Sequence, residues 1–323
     1  MNTFNSFQEV YFSSLNELIS NGKKVSSVSD TRSIGSSFGT RKKDFYEIKG
    51  YSFTLSNPLN RLIFSKERKL SLGFCFANFI WLLSGSNLVE DISIYNRQGN
   101  VFSEGGNYYE AAFGERIFGK GNLFFYLKKL IEKDRNTRRA MIPIFIPSDL
   151  VKLPLDTPCV SSIQIMIRDE KVDFFLHMRS QSVVTVFPYD IFLFSMLQEI
   201  ISLLLGIKIG EFHYYCNSFH YYEHESDTLK KIISEDISNL ETFCMPAMSL
   251  DNKLSVNDIV NLEKTFKDNI NADIEDIFKN LSYDLSDYWV EIFNLVYLKI
   301  RLEKGLEIDR SKSKYLSFEN IFL

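Results

Sequence analysis

Asp156-Thr157-Pro158-Cys159, Arg179-Ser180, Phe187-Pro188-Tyr189-Asp190 and His220-Tyr221-Tyr222 are the four elements whose joint reading decides this chain. They offer one plausible nucleophile (Cys159), one anion-binding pair (Arg179, Ser180), one carboxylate in apolar surroundings (Asp190) and a His-x-Tyr pair (His220, Tyr222). The intervals are 20 residues from Cys159 to Arg179, 11 to Asp190 and 30 to His220. A lone cysteine is ordinarily a small buried hydrophobe. Four elements in fixed order are a more specific signal.

Outward from this stretch, the periodicity predicts strands over 162–169, 172–178 and 183–187, the first two joined by the Arg168–Lys171 turn. An apolar helix follows over 191–205, ending at Gly206, and then an aromatic-rich strand over 211–222. Upstream, 5–20 has a helical period, 25–41 reads as a loop and 45–55 as one or two strands. A buried helix spans 70–83 and ends at Gly85. Glycines make 101–121 mostly loop. An amphipathic helix over 122–134 uses Leu123, Tyr126, Leu127, Leu130 and Ile131, and a strand covers 140–146. Helices over 256–267 and 286–303 complete the chain.

The 323 residues suit one large α/β domain; 45% are hydrophobic and 15% aromatic. A net charge of −4 argues against nucleic-acid backbone binding but allows a small anion held by placed arginines. The four cysteines lack metal-ligand spacing, so no metal is expected. Gln198 and Glu199 interrupt the longest apolar run, so no membrane span is expected. With no signal-peptide pattern at 1–10, a cytoplasmic location is the expectation.

The spaced elements resemble the thymidylate synthase superfamily, most closely its deoxycytidylate and cytidylate 5-hydroxymethylase branch. The resemblance implies a thymidylate synthase-type fold: a bulged mixed sheet with surrounding helices, in a homodimer packed through the sheets. It covers 1–245, and 246–323 is expected to be a helical C-terminal extension packed on that domain. It makes Cys159 the nucleophile and Arg179 its partner at the phosphate. Arg138, Arg139, Arg179, Ser180, Gln164, Asp190, His220 and Tyr222 would bind a pyrimidine nucleoside monophosphate. Arg138 and Arg139 would reach the partner subunit's phosphate, and Arg32 is a further phosphate candidate in a closing loop. Ser182 and Trp81 stand where a folate would bind, which makes 5,10-methylenetetrahydrofolate the implied cofactor.

Asp190 occupies the base-reading position, where thymidylate synthases carry Asn and cytidylate hydroxymethylases Asp. A carboxyl group can accept from cytosine N4 and, when protonated, donate to N3. A thiolate adding at C6 makes C5 nucleophilic. The expected activity is therefore one-carbon transfer: C5 hydroxymethylation of dCMP or CMP through a Cys159–C6 adduct. The alternatives are a folate-independent reaction on the nucleotide and a non-catalytic nucleotide-binding or scaffold protein. Four departures fall on the catalytic and folate side. Asn78 replaces the catalytic glutamate three residues before Trp81, Phe113 a tyrosine, Ser182 an aspartate and Val186 a glycine.

Overall fold

The computed structural model describes residues 2–26, 44–96, 103, 105–152, 156–240, 243–250, 254–282, 284–317 and 321–322. Its strands are β1 (Asn2–Phe4), β2 (Lys23–Val25), β3 (Phe45–Leu55), β4 (Leu70–Ser71), β5 (Met141–Pro143), β6 (Val160–Arg168), β7 (Lys171–Ser182), β8 (Lys208–Tyr222) and β9 (Ile321–Phe322). The helices are α1 (Phe7–Asn21), α2 (Leu72–Ser84), α3 (Val89–Ile92), α4 (Phe113–Phe118), α5 (Leu123–Lys133), α6 (Pro147–Lys152), α7 (Phe187–Leu205), α8 (Ser226–Ile233), α9 (Val256–Asp268), α10 (Ile274–Lys279) and α11 (Asp287–Glu303). Arg32 lies outside the described residues.

Seven strands form one mixed sheet in the order β1-β3-β8-β7-β6-β5, with β2 also on β3. Strands β7 and β8 are parallel, and α7 is the crossover between them. Its start is set by Pro188 in the first turn, where a missing N–H costs nothing. Its end is set by Gly206 at φ 65°, a left-handed residue suited to glycine. This 19-residue helix is long and apolar enough to cross a membrane, but 78% of it is buried inside the protein. The sheet carries the expected bulges: register shifts occur between Val160 and Ser162 and between Val172 and Phe174.

A further irregularity positions the site. Buried side chains in β7 and β8 are even-numbered up to Met178 and Cys216; beyond, the burial shifts to Gln181 on β7 and to Phe219 and Tyr221 on β8, with His220 between them also buried. At the same level β3 turns through Gly50 at φ 71°, a conformation that strains other residues. Past this kink, Gln181 faces the core side of the sheet, where α7 begins.

Two expectations are corrected. Residues 183–187 form a turn and the first residue of α7, not a strand. The β-branched run Val183–Val186 suggested extension, but Arg68 holds its carbonyls, donating from Nε to Val184 O (2.7 Å) and from Nη2 to Thr185 O (2.8 Å). On α5, Phe124, Leu127 and Ile131 are buried, whereas Tyr126 and Leu130 are exposed. The apolar arc of this helix, from Tyr126 through Leu130 and Leu127 to Phe124, is wider than the stripe that packing covers, so its edge residues stay exposed.

The C-terminal helices share the core of the chain. Trp289, Phe293 and Phe266 are buried, with Phe266 stacked on Phe293 at 5.2 Å. Helix α11 packs on α2 so closely that a Cβ on Gly73 would lie 2.6 Å from Lys299 Cβ. A buried ion pair, Arg61 Nη2 to Glu199 at 2.5 Å, fastens the segment before α9, because Glu199 also accepts from Met248 N at 2.6 Å.

Candidate active site

Cys159 enters β6 directly after Pro158. Arg179, facing it from β7, donates its backbone N–H to Cys159 O at 2.8 Å. Its guanidinium grips the preceding turn, from Nε to Pro158 O (2.8 Å) and from Nη2 to Thr157 O (2.9 Å), with Nη2 3.8 Å from Cys159 Sγ. Burial pushes the thiol up to about 11 against the pull of Arg179, and Asp190 and Asp156 push the same way. Burial thus favours the protonated thiol at neutral pH.

Asp190 sits in the first turn of α7 and is 9% exposed. Burial raises its carboxyl to about 7, against the hydrogen bond from Gln181 that favours the charge. That bond runs from Gln181 Nε2 to Asp190 Oδ2 at 2.9 Å, and Tyr214 Oη donates to Gln181 Oε1 at 3.1 Å.

His220 and Tyr222, at the end of β8, pack edge to face at 5.1 Å. Burial lowers the His220 pKa, so the ring is neutral at pH 7, with Nδ1 3.2 Å from Ser218 O. Arg179 acts electrostatically on both residues, and Cys159 on Tyr222. The fold thus gathers Cys159, Arg179, Asp190, His220 and Tyr222 from four separate segments. Ser180 lies half-buried beside Arg179.

On α2, Phe74, Asn78 and Trp81 form a half-buried stripe on an otherwise buried helix. Its ends pack on neighbouring rings: Phe74 meets Tyr189, the residue before Asp190, edge-on at 5.4 Å, and Trp81 meets Tyr109 at 5.8 Å. Asn78 lies between them. Phe113 packs on Phe194 at 5.4 Å, and Val186 is 40% exposed at the foot of α7. Ser182 Oγ and Trp81 Nε1 are buried without a hydrogen-bond partner among the described residues.

Three substrate candidates lie elsewhere in the chain. Arg138 and Arg139 are exposed beside a surface depression of about 730 Å³, and their guanidinium groups form no ion pair among the described residues. Gln164, on the outward face of β6, donates to Arg138 O at 2.9 Å. Sequence reasoning missed Gln181 and Tyr214. The one available signal was a polar residue between Ser180 and Ser182, in a strand whose alternation gave no reason to turn it inward.

The family model for thymidylate synthase matches residues 11–274. The chain belongs to the thymidylate synthase family. Members of this family are one-carbon transferases that act on pyrimidine nucleoside monophosphates and use methylenetetrahydrofolate. The chain is 28% identical over 228 residues to the deoxyuridylate hydroxymethyltransferase of Bacillus phage SP01, covering 64% of this chain and 59% of that protein. It is 25% identical over 205 residues to the Delftia phage PhiW-14 protein of the same name, covering 58% and 56%. The thymidylate synthase of Fusobacterium nucleatum is 26% identical over 219 residues, covering 65% and 76%. The chain thus spans under three fifths of the length of the two phage relatives. Thermostable thymidylate synthase A from Bacillus subtilis shares the thymidylate synthase fold at a TM-score of 0.61 and 19% identity, covering 78% of this chain and 93% of that one.

Proposed function

We propose that the protein hydroxymethylates C5 of a cytidine-type nucleoside monophosphate, dCMP or CMP. The observation that carries this reading is Asp190: a buried carboxyl, raised by burial to about 7, at the position that the resemblance gives to the base-reading residue. When protonated it offers one acceptor and one donor, matching cytosine N4–H₂ and N3. Cytosine N3 is a basic ring nitrogen and can share that proton, whereas uracil O4 is a weakly basic carbonyl oxygen.

As the Cys159 Sγ–C6 bond forms, the thiol proton passes to water and the C5=C6 π bond breaks, its electron pair becoming nucleophilic at C5 while Asp190 shares its proton with N3. Protonated Asp190 no longer opposes the thiolate, so binding the base and activating Cys159 support each other. Arg179 holds the Cys159 turn and faces the phosphate, while His220 and Tyr222 meet the sugar. When bound, methylenetetrahydrofolate supplies the one-carbon unit. The Ser182 Oγ, unpartnered among the described residues and one turn from the exposed Val186, offers a polar contact for such a heterocycle. Asn78, an amide, cannot carry a proton in and out and serves by holding water.

A homodimer completes this reading. Helices α1 and α7 cover one face of the sheet. The other carries the half-exposed stacks Phe175–His213 (4.4 Å) and His177–Tyr215 (5.1 Å), and Arg138 and Arg139, without an ion pair among the described residues, suit a partner subunit's phosphate. The test is to incubate dCMP, CMP, dUMP and UMP with methylenetetrahydrofolate and analyse the nucleotides by mass spectrometry. A hydroxymethylated cytidylate is expected. The same product from the uridylates alone, as the names of the phage relatives suggest for those proteins, would overturn the base assignment.

A further inference from the structure

The carboxyl of Asp190 has two chemically equivalent oxygens, but its surroundings make them unequal. Oδ2 accepts from Gln181 Nε2, and the bond runs that way because Gln181 Oε1 is occupied by the Tyr214 hydroxyl. The Tyr214 hydroxyl donates to Gln181 Oε1 at 3.1 Å, so the chain of donors has one direction: Tyr214, Gln181, then Asp190 Oδ2.

We propose that Gln181 and Tyr214 are specificity-determining positioning residues, which fix Oδ2 of Asp190 as an acceptor and so leave Oδ1 to carry the proton. The pattern offered to the base is then one acceptor, Oδ2, for the exocyclic N4–H₂, and one donor, Oδ1–H, for N3. This deepens the cytidylate reading and rests on its placing of the base against Asp190.

The same geometry has a counterintuitive consequence. An asparagine at 190 would ordinarily turn its amide to suit either base. Here Gln181 Nε2 still demands an oxygen at the Oδ2 position, which sends the new NH₂ group to the Oδ1 position. Acceptor and donor keep their places, so Asp190→Asn still reads cytosine. Turning the amide over would set two N–H donors against each other in a buried site. Only when the lock is opened is residue 190 free to read uracil.

The test is calorimetric titration of the full chain with CMP, dCMP, UMP and dUMP at pH 6.5. Five proteins are compared: wild type, Asp190→Asn, Asp190→Ala, and Asp190→Asn combined with Gln181→Leu or with Tyr214→Phe. The last removes one hydroxyl and keeps the ring packing, so it guards against misfolding of the Gln181 variant. Wild type and Asp190→Asn are both expected to prefer cytidylates about tenfold or more. Either double variant is expected to lose or invert that preference. Inversion by Asp190→Asn alone would overturn the lock while leaving the cytidylate reading intact. Equal affinity for all four nucleotides in wild type and Asp190→Ala alike would remove the base from Asp190, and the lock with it.

Discussion

Asp190→Asn also makes a stability prediction that needs no ligand. Burial holds the Asp190 carboxyl at about 7, against 3.8 for an unperturbed aspartate. Below pH 3.8 folded and unfolded chains are both protonated and ionisation costs nothing. As pH rises through the interval the unfolded chain ionises first, so the wild type loses stability up to about pH 7. At about 1.4 kcal/mol per unit, the full loss is about 4 kcal/mol. Roughly half of it, about 2 kcal/mol, falls between pH 5.5 and pH 8. Cys159, Cys216 and Tyr214, the titratable groups facing Asp190, stay protonated over this window because burial raises all three. Asparagine does not titrate, so the Asp190→Asn chain should gain about 2 kcal/mol on the wild type across the window. For 323 residues that is a widening of about 3 °C in Tm. Scanning calorimetry of both proteins at the two pH values measures it, and each protein's own hydrogen bonds cancel in the comparison. A Tm difference that does not change with pH would mean that Asp190 is ionised throughout, which would refute its role as proton carrier to the base.

Three other perturbations follow from the geometry. Asn78→Glu restores a proton carrier on the α2 stripe and should raise folate-dependent turnover by about 10²-fold or less, read as initial rate of hydroxymethylated product; no change would place Asn78 outside the chemistry. Arg138→Ala/Arg139→Ala mixed with Cys159→Ser should recover roughly a quarter of wild-type activity by random pairing of subunits, and a nucleotide-binding monomer in sedimentation would exclude the shared site. Glu199→Gln leaves Arg61, which is 0% exposed, without its counter-charge, and should cost roughly 3–5 kcal/mol in urea unfolding; a wild-type midpoint would show that Arg61 is satisfied otherwise.

The spacing of Cys159, Arg179, Asp190 and His220 pointed to a fold that brings them together, and all four meet at one end of the sheet. Helix ends were legible where local chemistry sets them, at Gly85 and Gly206. Two kinds of feature were not. The turn at 183–186 depends on Arg68, more than a hundred residues away, so no local pattern contains it. The inward turn of Gln181 depends on a kink shared by β3, β7 and β8, which is a property of the assembled sheet. The carboxyl of Asp190 could be named from sequence, but the amide that makes its oxygens unequal could not.

Exchange of the C5 hydrogen tests the central claim most directly. Addition of Cys159 at C6 makes C5 basic whether or not a one-carbon donor is present, so the reaction isolates the nucleotide half of the site. With tritium at C5 of dCMP or CMP and no folate, wild type is predicted to release label to water, Cys159→Ala is predicted to release none, and added methylenetetrahydrofolate should raise release only weakly while Asn78 is in place. Tight binding of the cytidylate with no release of label under either condition would contradict the account, leaving a protein that holds the nucleotide without acting on it.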